Sequence, residues 1–190
     1  MRLRPIVGLC LLIAGTIPTG SHGSETSRTT GPAPRLLSEF RFGTTAQDPW
    51  GAESGSANLT GEILLAKPFT TADLFTSYFV PRPHLGGSLN FDARTSFVYA
   101  GLTWSIDITP RIFIEGSLGG AAHDGRVNPF SGSFEQTVLG CPHLFRESGS
   151  VGVRLSANWS MIATVEHLSN GGCSGGGGLT NVGARLGYAF

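Results

Sequence analysis

The chain has 190 residues, 13 Lys+Arg balanced by 13 Asp+Glu, and 14% charged residues. This excludes a charge-rich disordered tail and a protein with a basic face, so no nucleic-acid partner is expected. Beyond the N-terminus no apolar run reaches the roughly 18–20 residues of a membrane-spanning helix, but 28 glycines and 40% hydrophobic residues fit a membrane β-barrel, whose strands carry a weaker signal.

Residues 1–23 read as a signal peptide. Basic Met1-Arg2-Leu3-Arg4 precedes the apolar stretch from Ile6 to Gly15, and small Ser21 and Gly23 suit cleavage after Gly23. An uncleaved anchor helix is the alternative, although the stretch is short for a span. Cys10 leaves with the signal. Export to an oxidising space allows Cys141 and Cys173 to pair, which sequence alone does not establish. Residues 24–36 are polar and proline-bearing, a flexible lead-in.

From Leu37 onward the period is two. In 97–108, Val98, Ala100, Leu102, Trp104, Ile106 and Ile108 share one face. After Thr109-Pro110, Ile112, Ile114, Gly116 and Leu118 alternate with Arg111, Phe113, Glu115 and Ser117, which makes a hairpin. The same pattern predicts strands near 37–45, 57–66, 79–90, 95–108, 111–122, 146–157, 159–169 and 179–190. Links at 109–110 and 157–158 are very short, while 46–56, 123–145 and 170–178 are long; the long link at 67–78 breaks the alternation. The fold class expected is all-β: an eight-stranded antiparallel up-and-down transmembrane β-barrel over 37–190, with both termini in the periplasm.

If the apolar faces meet lipid, parity sends Glu39, Arg41, Glu62, Asp107, Arg111, Glu115, Arg154, Glu166 and Arg185 inward. Eight strands leave room only for side chains, and buried charges must pair, so this near balance predicts a polar, side-chain-filled lumen. A soluble exported lipid-binding barrel would invert the pattern. The aromatic end, with Leu186, Tyr188 and Phe190 on one face, favours lipid, and Trp104, Trp159 and Tyr188 suit an interfacial girdle.

Two polar residues break the apolar row of the seventh strand. Trp159, Met161, Ala163 and Val165 define it, and His167 and Ser169 continue it at its outer end. Residues i and i+2 of a strand point the same way, about 6–7 Å apart. An imidazole near a hydroxyl is the base–nucleophile pair that ester cleavage needs. The plainer reading is a strand leaving the membrane into headgroups and water. His84, His123 and His143 show no metal-ligand spacing, so neither a metal nor another cofactor is expected.

Glu166-His167-Leu168-Ser169-Asn170-Gly171, then a glycine-rich loop and Gly178-Leu179-Thr180-Asn181-Val182-Gly183, resembles the lipid A 3-O-deacylase family of outer-membrane barrels (PagL-type, acyloxyacyl hydrolase-like). Tyr99-Ala100-Gly101-Leu102-Thr103-Trp104, Ile114-Glu115-Gly116-Ser117-Leu118-Gly119-Gly120 and Leu144-Phe145-Arg146-Glu147 also resemble its members. The resemblance covers most of 85–190. It implies the bacterial outer membrane, lipopolysaccharide as substrate, and removal of the 3-hydroxyacyl chain at position 3 of lipid A without a metal. By position it makes Ser169 the nucleophile, His167 the general base and Asn170 an oxyanion donor. The family's third catalytic residue, a glutamate on the closing strand, falls at Thr180, so rate should suffer. A homodimer is a compatible assembly. The competing reading is a non-catalytic structural or adhesion barrel.

Overall fold

The computed structural model describes residues 36–69, 71–130, 134–173 and 176–190. The expected signal peptide, and the lead-in up to residue 35, lie outside them.

Eight strands follow in order: β1 (Leu37–Gln47), β2 (Ser56–Leu65), β3 (Arg82–Asn90), β4 (Phe97–Asp107), β5 (Ile112–His123), β6 (His143–Arg154), β7 (Trp159–Ser169) and β8 (Leu179–Ala189), with a short helix α1 (Leu74–Phe79) between β2 and β3. Each pairs antiparallel with its neighbour, and β1 pairs with β8 to close the barrel. Closure leaves no strand edge with unpaired backbone groups, which a bilayer would penalise. The connections at 108–111 and 155–158 share the turn end with α1, and 48–55, 91–96, 124–142 and 170–178 form the loop end.

Burial inverts that of a soluble barrel. Many inward side chains are polar: Glu39, Arg41, Thr60, Glu62, Glu115, Arg146, Thr164, Glu166, Asn181 and Arg185 are all buried, beside an apolar cluster that includes Phe97, Leu144, Leu168 and Leu179. Outward ones are apolar and exposed, among them Phe40, Phe42, Leu59, Val98, Leu118, Val151, Met161 and Val165. Such a wall suits hydrocarbon, so the chain is a transmembrane barrel. Trp159 stacks edge-on against Tyr188, and Tyr188 against Phe190, with ring centroids 5.0 and 5.4 Å apart.

The lumen is an ion-pair lattice. Arg41 bonds Glu115 at 2.7 Å and Glu39 at 2.8 Å, and Arg82 bridges the same two carboxylates at 2.8 Å each. Nearer the loop end, Arg146 donates to Glu166 at 2.7 Å, and Arg185 joins Glu62 to Glu166 at 3.3 and 3.2 Å. Tyr99 donates to Glu62 at 3.0 Å, and the Arg146 guanidinium lies 3.8 Å from the Tyr99 ring centre.

Membership of this lattice differs from expectation. Asp107, Arg111 and Arg154 are exposed, and Asp107 pairs with Arg154 at 2.6 Å. They sit at the turn end, beyond the enclosed part of the lumen. Arg82 and Arg146 take their place: β6 starts at His143 instead of 146, so Arg146 lies well inside the wall. His84, in β3, is likewise inward and buried, and bonds Thr103 at 2.9 Å.

The long link between β2 and β3 folds as α1. Asp73 caps it, accepting from the Thr76 amide and hydroxyl at 2.7 Å each. These hydrogen bonds, the backbone one first, hold the Asp73 carboxyl below its ordinary pKa. Trp104 Nε1 ties the helix to β4 by donating to the Phe79 carbonyl at 3.1 Å. Because α1 absorbs Phe79, β3 begins at Arg82 instead of 79.

At the loop end, fully buried Glu53 binds three segments together. It accepts from the Thr95 hydroxyl and amide (2.6 and 2.9 Å), the Thr137 amide (2.8 Å) and Gln47 Nε2. Glu53→Ala would strand two backbone N–H groups, each at a cost of about 1–3 kcal/mol. Hydrogen exchange at Thr95 and Thr137 should therefore accelerate at least tenfold while the strand amides keep their protection. Unchanged exchange at both would refute this role.

Candidate functional site

The outward face of β7 is set by strict alternation: Trp159, Met161, Ala163 and Val165 are exposed, while Ser160, Ile162, Thr164, Glu166 and Leu168 are buried. His167 and Ser169 follow on the outward face, both half-buried near the loop end. Their common parity places them on the outer wall. Among the described residues no hydrogen bond joins them directly.

Both neighbouring strands contribute to their surroundings. Across β8, Thr180 stands opposite His167, and its hydroxyl lies 2.8 Å from His167 Nδ1. Across β6, Glu147 stands opposite His167 and Phe145 opposite Ser169. Both β6 residues are exposed on the outer side. Thus the triad position expected to carry a glutamate does meet the imidazole, through a hydroxyl.

Asn170 follows Ser169 immediately and braces the β7–β8 turn. Its Nδ2 donates to the Gly176 carbonyl at 2.7 Å, and its Oδ1 accepts from the Gly172 amide at 3.1 Å. Gly171 adopts φ +60 and Gly172 φ +105, a backbone only glycine takes without strain. The Cys141–Cys173 disulfide, with Cα atoms 6.0 Å apart, ties this turn to the 124–142 loop. Cys141 Sγ lies 3.5 Å from the Asn170 carbonyl.

Gly178 opens the space the imidazole occupies. A Cβ there would fall 2.5 Å from His167 Cε1 and 2.6 Å from Nε2. Gly178→Ala should therefore displace the ring. Because a misplacement of about 1 Å can cost up to 10²-fold, at least a tenfold fall in any His167-dependent rate is expected, and an unchanged rate would show that the ring position is irrelevant.

A groove of about 400 Å³ runs along the outer wall from His167, lined by Val165, Glu147, Gly149, Gly116, Leu118 and Trp104 among others. Its floor is the cross-strand pair Gly116–Gly149, where a Cβ would meet open space. Missing side chains thus make the trough, and flanking apolar ones wall it. Sequence alternation put Gly116 on the outward face but did not reveal that Gly149 lies beside it, because that needs the β5–β6 register. Among the described residues no group of His, Cys, Asp or Glu is arranged to hold a metal ion.

The fold resembles solved outer-membrane barrels. The crystal structure of the outer membrane enzyme PagL superposes with a TM-score of 0.62 at 14% identity, over 80% of this chain and 99% of that one. A de novo designed transmembrane β-barrel superposes at 0.54 with 11% identity, over 82% of this chain and 97% of the design. No curated protein sequence matches. The model of the lipid A 3-O-deacylase (PagL) family matches residues 83–189, more than half the chain and all the strands that carry the site. The chain therefore belongs to the lipid A 3-O-deacylase (PagL) family, whose members are outer-membrane ester hydrolases.

Proposed function

We propose that this chain removes the 3-O-linked 3-hydroxyacyl group of lipid A, with Ser169 as nucleophile and His167 as general base. The observation that carries the reading is the outward placement of both side chains on a lipid-facing wall. An embedded lipid can reach a catalytic group only from that side, and near the loop end polar residues are cheap to expose. With the loop end outside, as short periplasmic turns require, the pair sits at the outer leaflet, level with the lipid A esters.

His167 Nδ1–H donates to Thr180, which leaves Nε2 to accept the Ser169 proton. The Ser169 oxygen attacks the ester carbonyl; the imidazolium then returns its proton to the departing sugar hydroxyl, and water cleaves the acyl-enzyme. The link between base and nucleophile tightens when substrate excludes water, as catalytic hydrogen bonds commonly do. Asn170 spends one amide hydrogen on Gly176, and its other is available to the oxyanion. The glycine-floored groove receives the acyl chain.

The test is the lipid A of cells expressing the protein. Mass spectrometry should show loss of one 3-hydroxyacyl group and release of the free 3-hydroxy fatty acid. Unaltered lipid A around a correctly inserted barrel would sink the proposal and leave a non-catalytic barrel.

A further inference from the structure

We infer that Glu147 is the charge partner of His167, supplying from β6 the negative charge that Thr180 cannot supply from β8. This rests on the hydrolase reading above. Three observations carry it: register, exposure and isolation. Glu147 is directly opposite His167 in the β6–β7 ladder, so their Cβ atoms are about 4.5–5.5 Å apart, within reach of a glutamate side chain. Both line the same outer groove. Among the described residues Glu147 makes no hydrogen bond or ion pair, and it is the one acidic side chain on the outward faces of β5 to β8. A bare carboxylate on a lipid-facing wall is costly unless near the interface, and such a residue marks function with its partner beside it.

The surroundings offer no competitor. Outward on β8 stand Thr180 and Val182, and on β5 Gly116 and Leu118, none of which titrates. On β6 the outward row is His143, Phe145, Glu147 and Gly149. Directly behind the wall Arg146 and Glu166 are buried and paired with each other. The division of labour is therefore plain. Thr180 fixes the ring through Nδ1, and Glu147 stabilises the imidazolium that forms when Nε2 takes the Ser169 proton. No proton passes to Glu147. It acts through His167 and is a positioning residue.

The experiment uses the purified full chain in detergent with lipopolysaccharide, comparing wild type, Glu147→Gln, Thr180→Glu, the double variant and Ser169→Ala. Glu147→Gln should lower kcat about 10–100-fold with KM nearly unchanged. Thr180→Glu should restore the rate, and in that background Glu147→Gln should matter little. A Ser169-dependent activity whose kcat is indifferent to Glu147→Gln overturns this inference alone. So does an effect confined to KM, which would make Glu147 a substrate-binding group. Wild-type activity that Ser169→Ala leaves intact overturns both this inference and the hydrolase reading.

Discussion

Ser169→Ala is expected to reduce deacylation by about three orders of magnitude or more, to the level of cells without the protein. Without the hydroxyl no acyl-enzyme can form, and the remaining oxyanion and groove contacts only hold the ester in place. Folding should be untouched. Ser169 is half-buried on the outer face and forms no hydrogen bond among the described residues, so its loss should change stability by no more than about 0.5 kcal/mol. His167→Ala should be comparably inactive, and the double variant no worse than either single one, since base and nucleophile act as a unit. The measurement is release of 3-hydroxy fatty acid from lipopolysaccharide by matched amounts of folded barrel. More than a tenth of wild-type activity in Ser169→Ala would assign the nucleophile elsewhere.

Much of this architecture was legible in the chain because a barrel wall writes a period of two into its sequence. The row from Trp159 to Ser169 reads outward and inward as expected, and so do Val98 to Ile106 and Ile112 to Leu118. Leu186 with the aromatic Tyr188 and Phe190 resolves the ambiguity of which face meets lipid. What parity could not deliver was position along the barrel axis. Arg154 and Arg146 share a face, yet only Arg146 is enclosed, because β6 starts three residues early and Arg154 ends it. The α1 helix escapes the pattern for a different reason: six residues capped by Asp73 are too few to display a 3.6 period. Glu147 and the Gly116–Gly149 floor escaped because they become neighbours only through the β5–β6 and β6–β7 registers. Parity plus family pattern single out His167, Ser169 and Thr180 as candidates, and parity places all three on the outward face. The meeting of His167 with Thr180 across two strands then follows from a single register.

Removing Arg146 should destabilise the barrel itself. Arg146 is 1% exposed, and its guanidinium donates to Glu166 at 3.0 and 2.7 Å, lies over the Tyr99 ring and is 4.0 Å from Glu62. Arg146→Ala removes the cation from two buried carboxylates and the stacking partner from the ring. Breaking a buried pair on one side costs about 3–5 kcal/mol. Here the lower end applies, because Glu166 and Glu62 both keep Arg185 and Glu166 also keeps Asn181. Arg146→Ala/Glu166→Gln should recover part of the loss by removing the stranded charge. The readout is the urea midpoint of the folded barrel in detergent micelles, and a midpoint unmoved by Arg146→Ala would mean that the lumen lattice contributes nothing to stability. Activity should fall further than the folded fraction does. Arg146 is joined through the backbone to Glu147, and Glu166 to His167, so the lumen pair braces from behind two side chains on the outward face. Loosening the inner face of the wall frees the outer one to shift, and the proposed proton transfer from Ser169 to His167 tolerates little movement.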